Sequence, residues 1–193
     1  MHGIDNIKGE VKLPIIKGLD SEQEAIVELA KMMLVSARTA PKSKGIDSIQ
    51  TALLTGKEKN AIAEKMRSYA STKGDNWYRD AKNIEDSALI VLIGVQGIPI
   101  DLANCGLCGF QTCEELTAVR KKRQDIPPCC AFKLMDLGIA LGSAAKTASI
   151  HNIDCRIMYR PGKAAKELGF LTDVDLIVAV PLSISGKNIY FDR

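Results

Sequence analysis

The sequence has few aromatic residues, few histidines and no long apolar run, and each shortage excludes a class of function. Aromatic residues make up 5% of the 193 residues, and the chain has one Trp and two His. So few rings cannot form a broad stacking surface for bases, and a net charge of +3 is too small to indicate nucleic acid binding. No stretch approaches the roughly 20 apolar residues that cross a bilayer. The first seven residues also lack the basic and apolar pattern of a secretory signal, so we expect a cytoplasmic protein with no membrane contact.

The hydrophobic pattern predicts one α+β domain that spans residues 1–193 and contains a mixed sheet. A continuously apolar run at residues 88–95 indicates a strand covered on both faces. A second capping-box pattern, Thr55 with Glu58, begins a helix, as Ser21 with Glu24 does earlier in the chain. The predicted strands are 49–54, 88–95, 155–159 and 174–180, and the predicted helices are 21–37, 55–69, 112–123, 131–150 and a short one between Pro161 and Gly169. Residues 74–83 are predicted to be loop or a short helical piece, and residues 181–193 a polar tail.

Five of the six cysteines lie between residues 105 and 130, and this clustering is the strongest functional signal in the chain. Their spacing is C-x2-C-x4-C-x16-C when Cys105, Cys108, Cys113 and Cys130 are taken as the set. Three thiols so close in sequence converge only in a tight loop, for which Gly106 and Gly109 supply backbone freedom. One compact loop with a fourth, distant cysteine is typical of a [4Fe–4S] cluster. The sequence therefore predicts an inserted cluster-binding segment at residues 101–131.

Two alternatives stay open at this site. Structural zinc usually takes two close cysteine pairs, and this chain lacks the second, because Cys129 and Cys130 are adjacent. A structural zinc protein with an interaction role is nevertheless an alternative function. Cys129 could also replace Cys130 as the fourth ligand, whereas Cys155 falls in a predicted strand and is interpreted as a core residue.

Two short polar segments are candidate phosphate contacts, and neither is a Walker loop. Residues 38–45 supply three cations and two hydroxyls, which can hold a phosphate through charge-assisted hydrogen bonds. Residues 185–188 form the second segment. Further along, the run 120–123 could attract an acidic electron-transfer partner or simply be a solvated helix end, and Asp136 with Lys146 could form a buried polar contact.

The cysteine segment, together with residues 131–148, 36–45 and 183–193, resembles a family of uncharacterised bacterial and archaeal proteins that contain a ferredoxin domain. That resemblance assigns cluster ligation to the same four cysteines. The remainder of the chain resembles a compact nitroreductase, which implies FMN as a second cofactor and a homodimer with flavin at its interface. The flavin-contacting positions implied by the resemblance are Arg38, Thr39, Lys42, Ser43, Lys44, Gly186, Lys187 and Asn188.

These observations predict an iron–sulfur electron-transfer protein, and more specifically a flavin-linked oxidoreductase that acts on a small molecule. A small electron donor or acceptor protein would be its partner. The alternative of another class is a non-catalytic electron carrier or redox sensor without flavin. With two histidines in the chain, no catalytic acid, base or nucleophile can be nominated.

Overall fold

A computed structural model describes residues 17–103, 105–123 and 126–191. Four strands form one sheet in the order β1-β2-β4-β3, with every neighbouring pair antiparallel. The strands are β1 (Ile49–Leu54), β2 (Leu89–Val95), β3 (Asp154–Cys155) and β4 (Leu176–Ser183). The α+β class is confirmed, but the expectation of a mixed sheet is wrong for the described strands, because strand direction depends on long-range connections that no local pattern encodes.

Helices cover both faces of the sheet. One face carries α1 (Gly18–Thr39) and α5 (Ala131–Ile150), and the other carries α2 (Gly56–Lys73), α3 (Asn76–Asp86) and α6 (Tyr159–Glu167). Since β2 lies between β1 and β4 and under both layers, all seven of its residues are buried. This accounts for its uninterrupted apolar sequence. Among the described residues, no helix is both long and apolar enough to cross a membrane.

The cysteine segment lies at the end of the sheet where β2 ends and β4 begins. Val95 pairs with Ile49 on one side and with Leu176 on the other. Beyond it the chain continues into α4 (Cys113–Lys122). A third apolar cluster, separate from the two that cover the sheet, forms here from Ile100, Leu116 and Cys130.

Several local predictions differ from the structure. The helix predicted at residues 21–37 begins earlier, at Gly18, and Thr55 precedes α2 without a side-chain cap, so neither predicted capping box forms. Residues 74–83, predicted to be loop or a short helical piece, lie largely in the helix α3, because Trp77, Ala81 and Ile84 are buried against the second core. The predicted polar tail is partly interior, since β4 continues to Ser183 and Tyr190 is buried.

Candidate metal centre

Four cysteine side chains line a single small pocket at the end of the sheet. Cys105, Cys108, Cys113 and Cys130 contribute to its wall together with apolar residues that include Ile100, Leu102, Phe110, Leu116 and Phe132. All four thiols are free; Cys130 is buried, and the other three are half-buried. The pocket has a volume of about 20 Å³, which is roughly the space of one water molecule. Within the described ranges, no three Cys, His, Asp or Glu side chains group closely enough to hold a single metal ion.

Local backbone structure places each of the four cysteines. Gly106 and Gly109 adopt φ values of +60° and +85°, a region that glycine enters without strain. Their turn closes through a 3.0 Å hydrogen bond from the Gly109 N–H to the Gly106 carbonyl. Cys113 is the first residue of α4, and Cys130 immediately precedes α5. Two cysteines therefore stand at helix N-termini, where unpaired N–H groups and the helix dipole favour negative charge.

A side-chain N-cap that the sequence analysis did not single out fixes the start of α4. The Glu115 N–H donates to Thr112 Oγ1 at 3.2 Å, and the Glu115 carboxylate accepts from the Gln111 N–H at 2.9 Å. The Thr112 hydroxyl satisfies one N–H group that the first turn leaves unpaired, and the Glu115 carboxylate binds the N–H of the residue before the cap. This cap holds Cys113 in position at the first turn.

Cys129 and Cys155 lie outside the pocket. The Cys129 Sγ approaches the Pro127 carbonyl at 3.5 Å, and its pKa is raised above the ordinary value, chiefly by burial. Cys129 packs so tightly on Gly97 that a Cβ there would stand 2.3 Å from the Sγ. Cys155 lies on the edge strand β3, where burial raises its pKa.

A partly buried polar network joins the cysteine segment to the sheet. Arg120 donates to the Pro128 carbonyl at 2.6 Å and to the Asp175 carboxylate at 2.7 Å. The same carboxylate accepts a 2.6 Å bond from the Gly97 N–H, and the Gly97 carbonyl accepts a 2.8 Å bond from the Cys130 N–H. Interpreting residues 120–123 as one solvated run is therefore wrong at Arg120, whose side chain is only 12% exposed.

A second buried network joins α5 to the basic loop. The fully buried Lys133 ammonium donates to the Ile46 carbonyl at 2.7 Å and pairs with Asp136 at 3.3 Å. The other Asp136 oxygen accepts 2.8 Å bonds from both the N–H and the hydroxyl of Ser43. The predicted partner of Asp136 was Lys146, which is exposed. Lys133 takes that place because it is three residues away and on the buried side of α5.

The cations of the basic loop are engaged by the protein itself. Arg38 pairs with Asp47 and donates to the Ile49 carbonyl. The Lys42 ammonium donates to the carbonyls of Ala37, Arg38 and Ala40 at the end of α1, and burial lowers its pKa. Lys44 donates to the Ile100 carbonyl at 3.0 Å and to the Asp101 carbonyl at 3.3 Å, and the Thr39 hydroxyl donates to the Val35 carbonyl. The loop thus closes the end of α1 and contacts the cysteine segment.

The second candidate segment lies at the opposite end of the sheet. It follows Ser183, the residue of β4 that pairs with Asp154, and Asn188 donates to the Asp154 carboxylate at 2.6 Å. Gly186 and Lys187 are exposed. Because the basic loop lies beside the start of β1 instead, one copy of the chain does not bring residues 38–44 and 186–188 together.

The structurally decisive residues that sequence reasoning missed are Gly97, Asp175 and Lys133. Gly97 follows a buried strand, which is the only local sign of a close backbone approach. Nothing local distinguishes Asp175 from a surface acid at the start of a strand. The burial of Lys133 could have been suspected. It lies in an apolar helix with an acid three residues further along, a spacing at which two side chains can pair.

The fold and the clustered thiols define the class of protein: an α+β protein of the nitroreductase fold with a cysteine-rich segment at one end of its sheet. Solved nitroreductases share this fold. The enzyme with bound FMN from Desulfitobacterium hafniense has a TM-score of 0.56 at 14% identity, covering 83% of this chain and 78% of that one. Nitroreductase A from Vibrio parahaemolyticus has a TM-score of 0.51 at 13% identity, and the match covers 91% of this chain but only 61% of that longer chain.

Sequence comparison assigns the family. Residues 127–193 match the family described as "Uncharacterized protein containing a ferredoxin domain (DUF2148)". An uncharacterised protein of Archaeoglobus fulgidus is 46% identical over 175 residues, covering 90% of this chain and 95% of that protein. The chain therefore belongs to this family, as the resemblance of its cysteine segment and of residues 36–45, 131–148 and 183–193 predicted.

Proposed function

We propose that this protein is an iron–sulfur electron-transfer protein whose [4Fe–4S] cluster is bound by Cys105, Cys108, Cys113 and Cys130. The observation that carries the proposal is that these four thiols line one apolar pocket. The family description, with its ferredoxin domain, supports the same chemistry. A bound cluster would supply one-electron transfer, and the apolar wall would limit access of water, which is one determinant of cluster potential.

The donor set fits such a group. Four cysteine thiolates are the usual ligands of a cubane cluster, and two of them stand at helix N-termini that favour anionic charge. Since the pocket volume is about 20 Å³, binding requires the wall of the pocket to move outward. The turn that contains Gly106 and Gly109 is the part of the wall with the greatest backbone freedom. The Cys130 side is held by the 2.8 Å bond to Gly97.

The test is a matched pair of variants of adjacent cysteines, purified without oxygen. Cys130→Ala is expected to abolish the broad absorption at about 400 nm that is typical of thiolate-bound iron. It should also lower the iron content. Cys129→Ala is expected to retain both, because Cys129 contacts Gly97 and does not line the pocket. A reversed result would assign Cys129 as the ligand. A colourless wild-type protein that carries one zinc per chain would overturn the proposal in favour of structural zinc.

We further propose that the protein is a flavin-linked oxidoreductase that functions as a homodimer. Support comes from the nitroreductase fold, since two of the similar solved structures hold FMN. It also comes from the outer sides of α1 and α5, where Met32, Val35, Met135 and Ile139 are each exposed by 44% or more. Gly138 and Gly142 on α5 have no other heavy atom near the position of a Cβ, which leaves room for a second copy. The substrate of such an enzyme would be a small molecule.

A non-catalytic electron carrier is the second candidate, and one observation favours it. Arg38, Lys42 and Lys44 are already bonded to carboxylates or carbonyls, so these cations of the basic loop would have to exchange partners to bind a flavin phosphate. FMN added to the purified protein discriminates between the two. A rise in melting temperature, as required of a ligand of the native state, supports the oxidoreductase, and no shift supports the carrier.

A further inference from the structure

A large cleft lies between α4 and α6 and belongs to none of the sites above. Its volume is about 880 Å³, within the usual range for small-molecule sites. We call it the α4–α6 cleft. Its walls include Thr117 and Lys121 on one side and Lys163 and Lys166 on the other, and its apolar floor is formed by Ile98, Pro99, Ile126, Pro127, Leu176 and Ile177.

More cationic than acidic side chains line this cleft. Apart from Arg123, which has an interaction of its own, four cationic residues and three acidic ones line the cleft. Two of the acids are already paired, Asp175 with Arg120 at 2.7 Å and Glu167 with Lys163 at 3.0 Å. Lys166 is bonded to a neutral carbonyl, that of Val174, so its charge is not cancelled by that bond. The lining therefore keeps a positive excess beside an apolar floor.

Both walls are held by contacts to the sheet. On the α6 side, a Cβ at Gly162 would stand 2.0 Å from the Ile177 carbonyl oxygen, so α6 lies directly on β4. On the α4 side, Arg120 and Asp175 tie the helix to the sheet. Since neither wall can move far, the cleft is preformed, which lowers the entropic cost of binding.

We propose that the α4–α6 cleft binds a small organic anion, one that carries a carboxylate, phosphate or sulfonate on an apolar body. The anionic group would lie near Lys121 and Lys166, and the apolar part would contact Ile98 and Leu176. This inference does not depend on the proposed iron–sulfur function. The two sites are nevertheless adjacent, because α4 presents Leu116 and Cys113 to the cysteine pocket and Thr117 and Lys121 to the cleft. One helix, about 10 Å across, separates them.

Calorimetric titration of the anaerobically purified protein tests the proposal, with 4-phenylbutyrate as the probe and neutral 4-phenylbutyramide as its uncharged match. Saturable binding of the acid and none of the amide is expected. Adjacent lysines provide the control: Lys121→Gln should weaken binding roughly threefold, the scale of one exposed charge contact. Lys122→Gln, on an exposed lysine that does not line the cleft, should leave it unchanged.

Ile98→Glu localises the site further, because it places a carboxylate in the cleft at a side chain that is 43% exposed and so does not threaten the core. We expect it to remove measurable binding. Equal binding of acid and amide, equal effects at Lys121 and Lys122, or no saturable heat with wild-type protein would each overturn the proposal. The absorbance of the same samples at about 400 nm reports the cluster separately. Failure of the anion-binding proposal is therefore distinguishable from failure of the iron–sulfur proposal.

Discussion

Replacement of Gly97 by alanine should perturb the cysteine segment more than any other single methyl addition near the site. The added Cβ would stand 2.3 Å from the Cys129 Sγ, 2.6 Å from its Cβ and 2.9 Å from its Cα. Ordinary contacts between carbon atoms are about 3.5–4.0 Å, so a shift of roughly 1 Å is unavoidable. Because one of the three atoms belongs to the backbone, a side-chain rotation alone cannot relieve the overlap.

The cost follows from overpacking. A methyl group forced into a filled site usually costs about 1–3 kcal/mol, which for a chain of this size lowers the melting temperature by roughly 2–12 °C. The displaced Cys129 is adjacent to Cys130, whose N–H bonds to the Gly97 carbonyl at 2.8 Å. We therefore expect Gly97→Ala to reduce iron per chain as well as stability, measured by thermal unfolding and by iron analysis. Gly186→Ala, where no other heavy atom stands near the added Cβ, is the control and should change stability by less than about 0.5 kcal/mol.

A double-mutant cycle tests the stated cause. Cys129→Gly removes the two atoms closest to the added methyl group. The loss of unfolding free energy in the double mutant should therefore be smaller than the sum of the losses in the two single mutants. The expected coupling is at least about 1 kcal/mol in the stabilising direction. Strictly additive effects would refute the argument, since the destabilisation would then arise from something other than the contact with Cys129.

Three further outcomes follow from the described contacts. Asp136→Ala should lower the free energy of unfolding in urea by roughly 3–5 kcal/mol, because it leaves the Lys133 ammonium buried without its carboxylate. A nearly unchanged free energy of unfolding would contradict this. The hydrogen bond from Arg67 lowers the pKa of Glu85. The pair therefore stabilises the folded protein at pH values above the ordinary pKa of Glu, and this stabilisation is lost as the pH falls through the lowered pKa of Glu85. Glu85→Gln should therefore cost less than about 1 kcal/mol at neutral pH, as for an exposed pair, and nothing in strong acid. Removal of iron by oxidation and chelation should lower the melting temperature, and an unchanged value would show that no stabilising metal was present.

Local sequence patterns were sufficient where an element carries its own signal. The segments predicted as β1 and α5 coincide with the structure at both ends. The positive φ of Gly169 just after α6 agrees with the predicted helix end. These elements have strong apolar periodicity or a clear terminating residue, and neither depends on what the element packs against.

Elements that depend on tertiary contacts were not predictable in the same way. α3 has a polar sequence with only a few apolar residues, and it becomes helical where Trp77 and Ile84 reach the second core. The bond from Lys133 to the Ile46 carbonyl joins residues 87 positions apart, and the pair of Arg120 and Asp175 spans 55 positions. A run of basic residues does not show which of its members turns inward, so Arg120 could not be separated from its neighbours.

The contacts of the cysteine segment bear on its predicted boundaries, residues 101–131. Contacts at three points tie it or its flanks to the body: Cys130 to Gly97, Arg120 to Asp175, and Lys44 to the carbonyls of Ile100 and Asp101. The first two end on residues beside β2 and β4, the central strands of the sheet. The third ends on the residues that open the segment, and Ile100 packs in the same apolar cluster as Cys130. A segment anchored in this way is coupled to the body in its stability. A movement of the cysteines would therefore first displace the basic loop and the end of the sheet.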